Sequence, residues 1–447
     1  MSGRAVASLV QATVVGACVA GRRARCSPPG RKVPGLSRCH DGPVLYATRA
    51  VVNLAAIRHN LDQARARAGS RAVLLAVKAD AYGHGAVEVA RMAQRTGAAD
   101  WLGVATVPEA IELRRAGITL PLLKLSHCFA EELAAALAAD LCLTVVDGQT
   151  LREADAAGQR AGRPARVQLK VDTGMRRIGA EPEDAVALAL LADALPHVAL
   201  EGIFTHLPVS DMAADQEWTA AELELFRLVV AGVHDAIGRR LPWVHATPSG
   251  GTLWHDLTDM TMVRPGIMAY GYFPDATTPR VVELRPAMEL RSRLSFVKRV
   301  GAGQSVGYGR SWTAPQDVWV ATVPLGYADG YNRRNSNAGR MLVAGRSCPV
   351  VGRVCMDQTM LLLGSVQDFP EPPAAAGDEV VAMGRMGDDC VDADEIASLL
   401  GTISYEVTCA VAPRVAREHV MPEAGPGTTD RRGRGHGGSS TGISGDG

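Results

Sequence analysis

The sequence lacks three features that mark large classes of proteins: a net charge, a paired cysteine motif and a long apolar run. Lys plus Arg and Asp plus Glu number 47 each, so the charge balance gives no reason to expect nucleic acid as a partner. The nine cysteines are scattered and never form a CxxC motif, which argues against a disulfide framework or a zinc site and indicates a reducing compartment, the cytoplasm. No run of about 20 uninterrupted apolar residues occurs, so we expect no membrane-spanning helix.

Both ends differ in composition from the rest of the 447-residue chain. The beginning combines an apolar stretch with a basic segment rich in Pro and Gly, and it has only Arg4 before the apolar stretch and no clean cleavage site after it. We therefore interpret residues 1–46 as a disordered leader or an over-extended start, in preference to a targeting segment. Residues 420–447 are rich in Gly, with Ser, Arg and Asp, and have no periodicity, which predicts a disordered tail.

The central part of the chain changes its pattern once, near residue 284. Over residues 47–283, short apolar runs alternate with amphipathic helical stretches, which predicts an α/β fold with an N-terminal (β/α)8 TIM-type barrel. An open doubly wound sheet is the alternative, but no Gly-rich dinucleotide loop follows the first strand. Over residues 284–419, short strands separated by Gly-rich turns predict a mainly antiparallel β C-terminal domain. The eight predicted barrel strands are Ala72–Val77, Trp101–Ala105, Pro121–Leu125, Cys142–Val146, Arg166–Val171, Val198–His206, Trp243–Ala246 and Met262–Gly266.

Several chemically capable side chains stand where the predicted barrel strands end. The reacting groups of β/α barrels lie at the carboxyl ends of the strands, and the loops after the last two strands commonly bind phosphate. Those loops read PSGG and RPGI here, and their backbone amides can cradle a phosphate. Each residue alone has an ordinary structural explanation, but a lysine, a phosphate cradle and a guanidinium in one barrel mouth suggest pyridoxal phosphate held as a Schiff base. The residues are Lys78, Lys170, His206, Ser249, Arg264 and Gly266.

A series of motifs in fixed order resembles the alanine racemase family, whose members are fold-type III pyridoxal-phosphate enzymes. The resemblance extends from about Ala47 to Arg417 and includes both predicted domains. The motifs are AVKADAYGHG, LKVDTGMRRIG, GIFTH, PSGGTL, VRPGIMAYG, VGYGRSW, PLGYADGY, VGRVCMDQTML and SYEVTCAVAPRV.

The resemblance implies two proton-transfer groups. Lys78 carries the cofactor and, once the substrate displaces it, serves one face of the α-carbon, whereas Tyr308 reaches the other face from a partner subunit. Two groups are needed because a single base tends to return the proton to the face it left. Arg264 matches the residue that meets the pyridine nitrogen of the cofactor, and an arginine keeps that nitrogen unprotonated. Barrel decarboxylases that use pyridoxal phosphate have an acidic residue there, so Arg264 favours a racemase.

The other site residues follow from the same resemblance. Arg177 contacts the cofactor and the substrate carboxylate, and Lys170 is a candidate for carbamylation, since a carbamate gives Arg177 a negative partner. A site shared between subunits implies a homodimer. The remaining matches are Tyr82, His206, Ser249, Gly266, Ile267 and Tyr405 for the cofactor, Met356 and Asp357 for the substrate, and Asp211, Tyr327, Arg333, Arg353 and Ile403 for the entry corridor; no metal ligand is implied.

Three departures from the family pattern qualify these expectations. Pro248 stands where the family has Asn, which removes a side-chain amide and a backbone N–H near His206 and Arg264. Val209 replaces a small residue and is expected to narrow the corridor, and the usual RVPR ending reads RVAR.

We expect interconversion of L- and D-alanine for bacterial cell-wall peptidoglycan. One alternative is a racemase of serine or of several small amino acids. A pyridoxal-phosphate carrier is a second alternative, but such proteins lack the second domain predicted here. A metal hydrolase is a third, but it needs a set of metal ligands that the predicted strand ends do not have.

Overall fold

The computed structural model describes residues 45–421. Residues 1–44 and 422–447, which include most of the predicted leader and tail, lie outside the described residues. Strand β1 (Arg49–Asn53) begins the secondary structure, and the eight strands of a parallel sheet follow it. These are β2 (Ala72–Ala76), β3 (Trp101–Val104), β4 (Leu122–Lys124), β5 (Leu141–Val145), β6 (Ala165–Lys170), β7 (Val198–Phe204), β8 (Trp243–His245) and β9 (Met262–Val263).

The parallel sheet closes on itself. Its strands lie in the order β8-β7-β6-β5-β4-β3-β2-β9. Between the two end strands, the N–H of Thr261 donates to the carbonyl of Val244, and the N–H of Arg264 donates to the carbonyl of Thr247, both at 2.9 Å. The predicted (β/α)8 barrel is therefore confirmed, with each of the eight predicted strands present.

Helices cover the outside of the barrel. Side chains of β3 and β5 are buried along the whole strand, because the barrel interior covers one face and helices cover the other. Over residues 45–421, no helix combines the length and the apolarity needed to cross a membrane. The helices are α1 (Leu54–Ala68), α2 (Ala86–Thr96), α3 (Val107–Arg115), α4 (Leu133–Ala138), α5 (Gly148–Ala161), α6 (Ala185–Ala194), α7 (Gln216–Ile237) and α8 (Ser249–Trp254), and a 3-10 turn (Ile267–Tyr270) follows β9.

The second domain is mainly antiparallel, as predicted. Its strands are β10 (Met288–Arg293), β11 (Phe296–Val300), β12 (Ser305–Val306), β13 (Trp312–Thr313), β14 (Val318–Val323), β15 (Arg340–Val343), β16 (Arg346–Pro349), β17 (Thr359–Ser365), β18 (Glu379–Met386), β19 (Asp389–Val391) and β20 (Ala416–Val420), and its helices are α9 (Ala393–Leu400) and α10 (Ser404–Cys409). The largest sheet has the order β16-β15-β18-β10-β1-β20, with β19 beside β18. A three-stranded sheet, β11-β14-β17, and the pair β12-β13 complete the domain.

Strand β1 belongs to the sheet of the second domain, although its sequence lies within the range predicted for the barrel. It pairs antiparallel with β10 and parallel with β20. Its residues alternate between half-buried and buried, which is typical of a sheet covered on one face. A five-residue run of this kind does not show which distant strand it will join, so the sequence did not predict its place.

A buried carboxylate on α7 lies beneath the loop that carries Arg177. Glu222 is 4% exposed, and its carboxylate is so close to Gly174 that a Cβ at that glycine does not fit. Neither carboxylate oxygen has a hydrogen bond of ordinary geometry within the described residues. Burial raises the pKa of Glu222 to about 7, and the indole of Trp218 opposes that shift only in part. The ionised form of Glu222 is therefore the disfavoured one in the folded protein.

Replacing Glu222 by Gln is expected to stabilise the protein in a pH-dependent way. The folded-state pKa of about 7 lies above the unfolded value of about 4.3, so the stability of the wild type is full below the lower value and falls as pH rises toward the higher one. The E222Q variant removes this loss. Its free energy of unfolding is expected to exceed that of the wild type by about 1–3 kcal/mol at about pH 8 and by close to nothing at about pH 4. Thermal unfolding midpoints measured across that range check the prediction. The control is E224Q, at an exposed position of the same helix. An effect of E222Q on stability that does not change with pH contradicts the prediction.

Candidate active site

One cavity of about 730 Å³ lies at the carboxyl ends of the barrel strands. It brings together all nine residues predicted to bind the cofactor, although they are spread over more than three hundred positions. Lys170 and Asp211 line it as well. The nine are Lys78, Tyr82, Arg177, His206, Ser249, Arg264, Gly266, Ile267 and Tyr405.

Lys78 stands at the end of β2, directly before an unusual backbone turn. The next four residues, Ala79–Tyr82, all have φ between 52° and 55°, a left-handed conformation that costs a non-glycine residue roughly 1–2 kcal/mol. Hydrogen bonds hold the turn: the N–H of Ala86 donates to Asp80 Oδ1 at 2.7 Å, and the N–H of Gly85 donates to the Asp80 carbonyl at 2.9 Å. The conformation turns the chain sharply after the lysine, so Lys78 and Tyr82 line the same cavity.

The amines in this cavity lie among other cationic groups. Burial, followed by the charge of Arg177, lowers the pKa of Lys78. Burial, followed by the charges of Arg264 and Arg177, lowers the pKa of Lys170 to about 8. The pKa of His206 is well below its ordinary value, again through burial and the same guanidinium groups. The uncharged forms of these amines and of the imidazole are therefore more populated near neutral pH than they are in water.

Arg264 is held by four acceptors at the base of the cavity. Its guanidinium donates to the carbonyls of Thr205 and Ala246 at 2.8 and 2.9 Å, to His245 Nδ1 at 2.6 Å and to His206 Nδ1 at 3.3 Å. Because a guanidinium only donates, both imidazoles must accept at Nδ1 and carry their proton on Nε2. The contacts fix the orientation of Arg264 and the tautomers of the two histidines together.

The departures at positions 248 and 209 have limited structural effects. Pro248 directly precedes α8, and its carbonyl accepts from the N–H of Thr252 at 2.8 Å. Arg264 makes its four contacts without an amide side chain at 248, so the hydrogen bond in question is not needed to hold the arginine. Val209, expected to narrow the corridor, is half-buried and does not line the cavity of the single chain.

Hydroxyl groups and a glycine meet in another part of the cavity lining. Ser249 Oγ accepts from the N–H groups of Gly266 and Met268 at 3.0 and 3.3 Å. The Gly266 amide therefore already has a partner, although the sequence suggested it as a free donor for phosphate. A Cβ at Gly266 would lie 2.7 Å from Tyr82 Oη. Glycine at this position keeps the space beside the two hydroxyl groups open.

The loop after β6 directs Arg177 into the cavity. Asp172 Oδ1 accepts from the N–H groups of Gly174 and Arg176 at 3.0 Å each, and Asp172 Oδ2 accepts from the N–H of Arg177 at 3.2 Å. One buried carboxylate thus folds the loop and fixes the backbone of Arg177. The sequence indicated the motif but not this role of Asp172.

Apart from Tyr405, the predicted residues of the second domain lie outside the cavity of their own chain. Tyr308 is 73% exposed and Met356 53% exposed. Asp357 is paired at 2.7 Å with Arg414, and Tyr327 and Arg333 line a separate shallow depression. Arg353 and Ile403 are also exposed and are absent from the cavity lining. A single chain therefore holds the cofactor-side residues together but not the residues predicted to act on substrate from the second domain.

Tyr270 supports the site and was missed by sequence reasoning. It is fully buried, and its hydroxyl donates to the Ala76 carbonyl at 2.8 Å. Its ring stacks on Tyr82 and His84, with centroids 4.9 and 4.6 Å apart. The residue lies within the VRPGIMAYG motif, but a tyrosine in an apolar run gives no signal that separates it from ordinary core.

Comparison with known proteins identifies the family. The model of the alanine racemase N-terminal domain matches residues 52–274, and that of the C-terminal domain matches residues 287–419. The alanine racemase of Cutibacterium acnes is 48% identical over 370 residues, which cover 83% of this chain and 97% of the relative. The alanine racemase of Symbiobacterium thermophilum is 42% identical over 375 residues, covering 83% and 96%.

Solved structures agree with this assignment. The alanine racemase of Clostridium difficile 630 superposes with a TM-score of 0.78 at 35% identity, covering 84% of this chain and 96% of the other. The enzyme from the D-cycloserine producer Streptomyces lavendulae gives a TM-score of 0.77 at 36% identity, covering 84% and 98%. Both domains are matched by sequence and by structure, and the chain belongs to the alanine racemase family of isomerases.

Proposed function

We propose that this protein interconverts L-alanine and D-alanine with pyridoxal phosphate and so supplies D-alanine for peptidoglycan. The observation that carries the proposal is the single cavity in which Lys78, Arg177, Arg264 and the hydroxyl groups of Tyr82 and Ser249 meet. The six cysteines within residues 45–421 are free thiols, which supports action in the cytoplasm.

The cavity residues fit pyridoxal phosphate. The space that a Cβ at Gly266 would fill, beside Tyr82 and Ser249, suits the phosphate group. Lys78 would hold the cofactor through its amine, and Arg264 would face the ring nitrogen at the base of the cavity. When bound, pyridoxal phosphate supplies an electron sink that acidifies the α-hydrogen of an amino acid attached to it.

The residues of the chain provide the proton transfers and the orientation. The lowered pKa of Lys78 makes a neutral amine available to take a proton from one face of the α-carbon. The guanidinium of Arg264 is too weak an acid to transfer a proton, so it would leave the ring nitrogen of the cofactor unprotonated and limit how far charge spreads into the ring. Arg177, fixed by Asp172, is positioned to orient the substrate carboxylate.

The second proton-transfer group in this proposal is the partner subunit's Tyr308. Its exposure in the single chain, together with that of Met356 and of the corridor residues in the second domain, supports a homodimer in which each second domain completes the site of the other subunit. The proposed two-base mechanism therefore requires the homodimer, because the second proton-transfer group comes from the partner subunit.

The function is tested by incubating the purified protein and pyridoxal phosphate with a panel of L-amino acids. We expect D-alanine to form fastest, and K78A to lower kcat by about 10⁴-fold or more, because one side chain provides both cofactor attachment and proton transfer. Chiral chromatography of the products is the measurement, and K298A, at an exposed lysine of the second domain, is the control. No turnover of alanine contradicts the proposal, and faster turnover of serine moves the assignment to a serine racemase.

The shared site is tested by mixing two inactive variants. In a K78A/Y308F heterodimer, one site has both residues altered and the other has both intact, so the isolated heterodimer is expected to have about half of wild-type activity. Co-expression with two affinity tags and an activity assay of the doubly tagged dimer measures this. Pairing K78A with a K78A,Y308F double variant is the control, since neither site is then intact. Absence of recovery in isolated heterodimers contradicts a site completed by the partner.

Lys170 is proposed to carry a carbamate. Carbamylation requires a neutral amine, and a pKa of about 8 leaves about a tenth of the Lys170 side chains neutral at pH 7. The product would give Arg177 and Arg264 a negative partner in the cavity. Equilibration with ¹³C-labelled bicarbonate should give a carbamate signal in ¹³C NMR that K170A lacks. K124A is the control and should retain the signal, because the equally buried Lys124 already has an ion pair with Glu132 at 3.7 Å. Loss of the signal in K124A but not in K170A contradicts the assignment.

A further inference from the structure

The carboxylate of Glu109 connects the ends of two neighbouring barrel strands. Glu109 Oε1 accepts from the N–H of Ala79 at 2.8 Å, directly after Lys78. Glu109 Oε2 accepts from the N–H groups of Ala105 and Thr106 at 2.7 and 3.1 Å, at the end of β3. A capping box at the start of α3 explains the bond to Thr106. It does not require the bond to Ala79, which joins α3 to the backbone of the lysine.

The bond to Ala79 acts where the backbone is most strained. Ala79 is the first of four non-glycine residues in the left-handed conformation, a turn that costs several kcal/mol at roughly 1–2 kcal/mol per residue. Within the described residues, the Ala79 N–H has no acceptor other than Glu109 Oε1. Losing it would release the backbone at the residue that sets the direction of the Lys78 side chain.

Glu109 also differs in sign from most charged groups that act on Lys78. The charges of Arg177 and Arg264 lower the pKa of the Lys78 amine, whereas that of Glu109 raises it, as does the thiol of Cys409 on α10 to a smaller extent. Lys170 on β6 and His206 after β7 lie close enough to Lys78 for its charge to lower their own pKa values. Glu109 is therefore a negatively charged group near an amine, that of Lys78, whose other charged neighbours are mostly cationic.

We infer that Glu109 is a positioning residue for Lys78: its carboxylate fixes the backbone that carries the amine and offsets the charge of the two neighbouring guanidinium groups. This inference rests on the proposed role of Lys78 and adds to it a residue on another strand–helix unit. The carboxylate acts through Lys78 and lies outside the lining of the cavity.

Two variants separate the effect of the negative charge of Glu109 from the effect of its hydrogen bond with the N–H of Ala79. E109Q keeps the length of the side chain and removes the charge, whereas E109D keeps the charge and shortens the reach to Ala79. The measurement is the rate at which an amine-reactive acylating reagent modifies Lys78, followed by mass spectrometry of the peptide across pH. The full chain is used after hydroxylamine has removed any bound carbonyl compound, so the readout needs neither cofactor nor turnover. E112Q, at an exposed position of the same helix, is the matched control.

E109Q is expected to shift the midpoint of Lys78 modification down by about one pH unit, because the nearby negative charge is lost. E109D is expected to keep the midpoint of the wild type but to lower kcat for alanine at least about tenfold, because the amine is misdirected. E112Q should change neither value. If the E109Q midpoint equals that of the wild type and only the melting temperature falls, Glu109 is a helix cap and the inference is overturned.

Two further outcomes keep this inference distinct from the proposed function. If E109Q does not fold, wild-type kcat in E109D overturns the positioning role by itself. If the wild-type protein does not racemise alanine, the proposed function fails. The modification midpoints of E109Q and the wild type then still show whether Glu109 acts on Lys78.

Discussion

The concentration of positive charge in one largely buried cavity constrains the rest of the site. Arg264 is 6% exposed and Lys170 3% exposed, and Lys78 and Arg177 line the same space. Burial and the mutual repulsion of these cations lower the pKa values of the two amines, whereas the guanidinium groups keep their protons. The cavity thus holds two lysines with lowered pKa values beside two guanidinium groups, an environment that favours ligands with phosphate and carboxylate groups.

The neighbouring structure manages this charge by means of fixed acceptors. Arg264 is neutralised by no carboxylate within the described residues; it donates instead to two carbonyls and two imidazoles. Deeper in the barrel, His245 Nε2 lies 2.6 Å from Gln168 Oε1, so the orientation of the arginine is transmitted to a fully buried pair. The carboxylate of Asp172 lies under the Arg177 loop and fixes its backbone, whereas Asp211 and Glu132 line the cavity itself.

The sequence predicted those parts of the molecule that follow from strand order. In a closed barrel the end of every strand reaches the same rim, so Lys78, His206 and Arg264 had to converge once the strands were recognised. Contacts between distant segments were not predictable from local pattern. Strand β1 joins the other domain, Tyr270 stacks on Tyr82, and the Gly266 amide is occupied by Ser249. Each of these depends on a partner far along the chain, which periodicity does not identify.

The place of β1 has a consequence for the order in which the chain folds. Arg49 pairs with Arg291 on one side and with Ala416 on the other, so one of the earliest described strands is completed by the last. During synthesis from the N-terminus, all eight barrel strands are made before either partner of β1. The barrel can close early from sequential contacts, whereas the second domain must wait for the final strand. A ribosome that stops short of β20 leaves β1 with an open edge, the kind of edge that pairs with other chains.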